Sequence, residues 1–262
     1  MVEIQQLQII KLGGSLVTNK QRVATFSPRR MRRLAREVAV CEDPIILLHG
    51  TGSFGKPQAC KYHYEGDGFL PRSRSGVVTE VSELLHNLRG MVVRILREAG
   101  VEALSMTPAA LFRTCRGRIV KCDVDPLRDL VERNIAPVIS GDLVLDEECD
   151  FAMCSSDMMA ARLAVALSAK RLIFATDTPG VMSYNGRRPH TLKELVAEDP
   201  QLQNSLKDDV GDVSHGMAGK LKAGFEAAQA GVETWVIDGR APGRLAAAVR
   251  GDYVRATKLL AG

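Results

Sequence analysis

Long apolar runs are missing from this 262-residue sequence. No stretch approaches the roughly 18–20 residues that a bilayer-spanning helix needs, so a membrane-embedded protein is not expected. The opening residues Met1-Val2-Glu3-Ile4-Gln5-Gln6 lack the basic and then apolar segments of a secretory leader, which makes the cytoplasm the expected location. Close cysteine pairs are missing too. Cys41, Cys60, Cys115, Cys122, Cys149 and Cys154 form no Cys-x-x-Cys, and only His63 lies near one of them, three residues after Cys60. A zinc site draws on two such close pairs, so reduced thiols are expected and no metal is assigned to the protein's own side chains. Aromatic residues are only 5% of the chain, and the formal net charge is a mild +4. The charge gives no argument for nucleic acid, but suits a basic site for a small anion. The segment Arg29-Arg30-Met31-Arg32-Arg33 reads as a solvated helix face or a subunit contact. Internal repeats and low-complexity linkers are absent.

What is present is ordinary for a globular protein: 45% hydrophobic and 25% charged residues. The length suits one large α/β domain or two closely fused lobes, with a soft boundary near residue 168. Apolar β-rich runs alternate with helical stretches. Strands are expected over 7–12, 44–49, 101–106, 135–140, 171–176 and 234–237. Helices are expected over 27–39, 75–98, 126–133, 156–168, 191–196, 216–230 and 241–249, with a small hairpin over 113–125. Strand, glycine turn and helix in repetition predict an α/β fold with a mostly parallel central sheet covered by helices on both faces. Ligands in such sheets bind at the carboxyl ends of the strands, where the motifs below fall.

Lys11-Leu12-Gly13-Gly14-Ser15, with Lys20 shortly after, leaves the first strand. Paired glycines let backbone N–H groups approach a phosphate, Lys11 adds charge, and Ser15 adds a hydroxyl donor. His49-Gly50-Thr51-Gly52-Ser53-Phe54-Gly55-Lys56-Pro57 leaves the second strand. Its Gly-x-x-x-x-Gly-Lys spacing invites a P-loop reading, but that loop requires Ser or Thr after the lysine, and Pro57 stands there. A glycine-lined anion cradle neutralised by Lys56 is the better reading. Ser140-Gly141-Asp142 and Ser155-Ser156-Asp157 each put a carboxylate at a strand end or helix start. Asp157 alone reads as a helix cap. Asp142 is the better candidate for organising a site, by pairing with a catalytic lysine. Ala175-Thr176-Asp177-Thr178-Pro179-Gly180 follows another strand. Asp212-Val213-Ser214-His215-Gly216 then leads into a helix whose N-terminus favours phosphate and whose Lys220 lies one turn on.

In this order the five motifs resemble the amino acid kinase superfamily, over about residues 9–237. The glycine loop, Lys61-Tyr62, Gly68-Phe69 and the helix carrying Leu84, Leu88 and Val92 look most like the branch containing isopentenyl phosphate and fosfomycin kinases. The resemblance implies a three-layer αβα sandwich. An acceptor-binding lobe would span 1–168 and a nucleotide-binding lobe 169–262. It implies an ATP- and Mg2+-dependent kinase acting on a small anionic acceptor, and a homodimer. Lys11, Gly13, Gly14 and Ser15 would contact the ATP phosphates, and Lys20 would stabilise the moving phosphoryl group. Gly50, Thr51, Gly55 and Gly141 would lie around the acceptor or between it and ATP, and Thr51 would also serve the nucleotide. Asp177, Gly216 and Lys220 would serve the nucleotide. The sequence departs from the branch at Lys56, where a His usually holds the acceptor's phosphate or phosphonate, at Thr178, where a second Asp is frequent, and at Thr51, where a third glycine is frequent. Isopentenyl phosphate is the expected acceptor. A fosfomycin kinase and a nucleotide-binding regulatory protein without turnover are the alternatives.

Overall fold

The computed structural model describes residues 6–64, 68–183, 189–197, 199 and 216–262, apart from the side chain of Lys56. In chain order the elements are β1 (Gln8–Leu12), α1 (Gly14–Val17), α2 (Pro28–Val38), β2 (Ile45–His49), α3 (Lys56–Lys61), β3 (Phe69–Leu70), α4 (Ser75–Glu98) and β4 (Ala103–Ser105). They continue with α5 (Pro108–Leu111), β5 (Phe112–Cys115), β6 (Arg118–Cys122), α6 (Asp125–Val131), β7 (Ala136–Ser140), β8 (Asp142–Asp146), β9 (Asp150–Cys154) and α7 (Ser156–Ala166). The last are β10 (Arg171–Thr176), β11 (Met182–Ser183), β12 (His190–Thr191), β13 (Glu194–Val196), α8 (Gly216–Gln229), β14 (Glu233–Asp238), α9 (Arg244–Arg250) and β15 (Ala256–Leu260).

The main sheet runs β13-β15-β14-β10-β1-β2-β7-β4 and is parallel throughout except where β15 lies antiparallel on β14. Strand β1 is central, paired to β10 on one side and β2 on the other. Its residues alternate between two cores, as a strand covered on both faces must. Ile9 joins Ile46, Leu48, Leu172 and Phe174 beneath α7 and α8, through Met159, Leu163, Leu221 and Phe225. Ile10 joins Leu47, Ile173 and Trp235 beneath α2, α4 and α9, through Leu34, Leu85, Leu88 and Leu245. The result is the expected three-layer sandwich, with one sheet drawing strands from both halves of the chain.

Several elements differ from the sequence expectation. Residues 191–196 fall in β12 and β13 rather than in a helix, because Glu194–Val196 adds to β15 as the edge strand of the main sheet. Tertiary pairing outweighs local propensity in a segment this short. The acidic stretch after Gly141 forms β8 and β9, part of a second sheet ordered β3-β9-β8-β5-β6. Asp146 holds that sheet's turns together by accepting from the backbone N–H groups of Arg116, Gly117, Glu148 and Cys149. Ser27 precedes α2, but its hydroxyl accepts from Arg30 Nε instead of capping the helix backbone. No helix among the described residues is long and apolar enough to cross a membrane.

Candidate functional site

Parallel pairing brings the ends of β1, β2, β7 and β10 to one edge of the sheet. The loops that leave them enclose a cavity of about 610 Å³. Of the residues singled out in the sequence, Lys11, Gly13, Gly14, Ser15, Lys20, Gly50, Thr51, Gly55, Gly141, Asp177, Gly216 and Lys220 all line it. Lys56 opens α3 beside them, and its side chain lies outside the described residues, as do residues 212–215 before Gly216.

The loops after β1 and β2 interlock backbone to backbone. A Cβ on Gly14 would stand 2.4 Å from the Gly52 nitrogen, and one on Gly50 would stand 2.6 Å from the Gly14 nitrogen. Gly52 has φ +50°, in the left-handed region that favours glycine. Thr18 ties the two loops: its hydroxyl donates to Gly14 O at 2.8 Å and accepts from the Ser53 N–H at 3.0 Å. Thr51 fills the space between Gly55 and Gly141.

The charged core of the cavity is a buried triad. Asp157 Oδ1 accepts from Lys11 Nζ and from Lys220 Nζ, each at 2.8 Å. Lys11 arrives from β1, Asp157 from the first turn of α7, and Lys220 from the second turn of α8. Burial lowers the Lys11 pKa to about 8, with Asp157 opposing and Lys220 adding to the shift. Burial also pushes the Asp157 carboxyl up, but the two lysines outweigh it and hold it below the usual carboxylate range. One anion shared by two cations leaves a net positive charge in a water-poor place, which suits a polyphosphate. The expected affinity for inorganic tripolyphosphate is therefore flat below pH 8 and weakens above it as Lys11 loses its proton, by up to about tenfold per unit. Isothermal titration across pH 7–10 checks this, and an affinity independent of pH would contradict it.

Nearer solvent, Lys20 Nζ meets Asp177 Oδ2 at 2.8 Å, with the Lys20 side chain 65% exposed. Burial pushes the Asp177 carboxyl up, but Lys20 and the Ser15 hydroxyl more than offset this and lower it. Among the described lysines of the cavity Lys20 is thus the solvent-exposed one, whereas Lys11 and Lys220 are buried.

Neither of two carboxylates takes the part expected of it. Among the described residues Asp142 pairs with no lysine: it lies beneath the cavity and binds Arg89 Nη1 at 2.8 Å. Burial raises its pKa to about 6 against the pull of Arg89. Strand β8 continues directly from Gly141, which turns the Asp142 side chain toward α4 rather than toward the lysines. Asp157 is not the helix cap, since Ser155 takes that position and its Oγ accepts from the Met158 N–H at 3.2 Å. The organising carboxylate is Asp157. Its only sequence signal was its place at a helix start after a strand, which ordinary capping residues share. Arg89 carried no signal at all, being one charged residue within an otherwise amphipathic helix.

Residues 6–238 match the family model described as the amino acid kinase family. The chain belongs to that family. Isopentenyl phosphate kinase of Methanothermobacter thermautotrophicus is 31% identical over 261 residues, covering 96% of this chain and 98% of the relative. Acetylglutamate kinase of Roseobacter denitrificans is 32% identical over 250 residues, covering 89% and 82%. A crystal structure of isopentenyl phosphate kinase superposes with a TM-score of 0.83 at 28% identity, covering 97% of this chain and all of that one. Carbamate kinase from Giardia lamblia shares the fold at a TM-score of 0.68 and 14% identity.

Proposed function

We propose that this member of the amino acid kinase family transfers the γ-phosphoryl group of ATP to the phosphate of isopentenyl phosphate. The observation that carries the reading is that one cavity collects three lysines, Lys11, Lys20 and Lys220, with the bare glycine backbone of two strand ends. Transfer between two anions needs no strong base. Its obstacle is charge repulsion, which fixed cations and backbone donors relieve. Lys11 and Lys220 hold the polyphosphate, together with Gly13, Gly14 and Ser15, and Gly216 and Asp177 complete the nucleotide side. Lys20 leaves Asp177 to follow the moving phosphoryl group. Gly50, Thr51, Gly55, Lys56 and Gly141 surround the acceptor. In this reading residues 1–168 serve the acceptor and 169–262 the nucleotide, in a cytoplasmic homodimer as the family resemblance suggests.

Magnesium fits the site as a passenger of the nucleotide. Among the described residues no group of three or more His, Cys, Asp or Glu is gathered to hold a metal. Asp157 is committed to two lysines. When bound with the nucleotide phosphates the cation would supply further charge neutralisation, while Lys11, Lys220 and the glycine backbone would orient the oxygens.

The choice of acceptor rests on the Gly52-Ser53-Phe54-Gly55 loop and on the isopentenyl phosphate kinase relatives. It is tested by initial-rate ATP consumption with magnesium and isopentenyl phosphate, fosfomycin or N-acetylglutamate. Saturation with isopentenyl phosphate is expected. The variant Lys56→Ala is expected to raise the acceptor KM about tenfold or more, with the ATP KM little changed, because it removes one charge-assisted contact. Saturation with fosfomycin or N-acetylglutamate alone would overturn the acceptor. ATP binding without transfer to any of the three would favour a regulatory protein.

A further inference from the structure

We propose that Arg89, which lies outside the cavity, is the positioning residue that sets the floor between the donor and acceptor sides of the site. The proposal rests on the phosphoryl-transfer reading above. Arg89 projects from α4 and is 1% exposed. Its Nη1 donates to Ser140 Oγ at 2.7 Å and to Asp142 Oδ2 at 2.8 Å, so it grips the residues on both sides of Gly141. Asp142 Oδ1 in turn accepts from the Leu143 N–H at 2.9 Å. The grip therefore spans the junction where β7 ends and β8 begins.

Gly141 is the point at which that junction reaches the cavity. Its N–H donates to His49 O at 3.2 Å, tying it to the start of the acceptor loop. A Cβ built on Gly141 would meet Thr51 Cγ2 at 3.3 Å on one side and the Ser156 nitrogen at 3.4 Å on the other. Thr51 belongs to the glycine loop, and Ser156 precedes Asp157, which anchors Lys11 and Lys220. A shift of Gly141 by a few tenths of an ångström is thus felt on both sides of the reacting atoms at once.

A purely structural role gives a poor account of this arrangement. A buried ion pair is a weak stabiliser, and apolar side chains of similar volume serve as well or better. Arg89 Nε, Tyr64 Oη and His49 Nε2 are also buried without hydrogen-bond partners among the described residues. What a charged fork offers that an apolar contact lacks is direction, and direction at Gly141 aligns the two substrates.

The test replaces the pair by Arg89→Met with Asp142→Leu, alongside Ser140→Ala, which leaves the ion pair intact. The double variant is expected to keep a melting temperature near that of the unmodified protein. Its ATP Kd and acceptor KM should stay within about threefold, while kcat falls about 100-fold, the scale of a small misplacement of reacting groups. Ser140→Ala is expected to lower kcat severalfold with its stability retained, and it carries the test if the double variant does not fold. Hydrogen exchange, which needs no turnover, is expected to quicken at the amides of residues 50–55 and 141 in both variants. Unchanged kcat and unchanged exchange in a stably folded variant would overturn the proposal. An unmodified protein that transfers no phosphoryl group would overturn the functional reading instead, and the exchange result would still decide whether Arg89 sets the loop.

Discussion

Replacing Asp157 by alanine is expected to lower stability by about 3–5 kcal/mol and kcat by about 100- to 1,000-fold. The carboxylate is the shared partner of two buried lysines, each 2.8 Å from the same oxygen. Its removal leaves two like charges facing each other in a buried place, and among the described residues the other carboxylate of the cavity wall, Asp177, is paired with Lys20. The lysines then spread apart or lose protons, and either outcome removes the charge that the phosphates meet. The variant's pH dependence identifies the cause. In the unmodified protein Lys11 has its pKa lowered from 10.5 to about 8. Between those values the unfolded chain binds more protons than the folded one, so this group's contribution to stability rises with pH through that window. In Asp157→Ala the window should open at lower pH, because the stabilising anion is gone. Urea unfolding from pH 6 to pH 10 reads both the loss and its partial recovery at high pH. A loss equal at every pH would show that packing, not charge, is what Asp157 provides.

Gly14→Ala is expected to abolish activity, with kcat/KM down more than about 100-fold and stability down by about 1–3 kcal/mol. The new methyl would lie 2.4 Å from the Gly52 nitrogen and 2.7 Å from its Cα. Both neighbours are backbone, so no rotamer change relieves the clash and the two loops must separate. Because these loops line the cavity, their separation moves the phosphate-facing backbone of one relative to the acceptor-facing backbone of the other. Gly90→Ala is the control. A Cβ there meets nothing within 4 Å on the exposed side of α4. That change should stabilise the helix by about 0.5–1 kcal/mol and leave turnover alone. Thermal unfolding and steady-state rates of the pair separate a steric effect at the interlock from a general intolerance of glycine replacement. Equal behaviour of the two variants would contradict the interlock.

The sequence by itself determined the elements whose periodicity is long or whose ends are well marked. Helix α4 runs Ser75–Glu98 as expected, because its apolar residues recur at helical spacing for six turns and Gly100 ends the pattern. Strand β10 likewise runs Arg171–Thr176, a continuous apolar run bounded by Asp177. The glycine motifs were legible for a local reason. Gly13-Gly14 and the Gly50–Gly55 loop follow strands at once, so strand direction alone puts them on one edge of a parallel sheet. Short or acidic elements were not legible. Strand β13 exists because the distant strand β15 completes its hydrogen bonds, and no pattern within three residues records a partner far along the chain; β8 and β9 pair chiefly with each other as a hairpin, whose acidic residues masked the strand pattern. The same limit governs the charges. Lys11, Asp157 and Lys220 each announce a charge at an element's end, but which carboxylate meets which lysine depends on where β1, α7 and α8 come to rest. Only the tertiary structure decided that Asp157 gathers the lysines while Asp142 turns beneath the cavity to Arg89. Ion pairing is a matter of three-dimensional distance, and these partners lie tens to hundreds of residues apart.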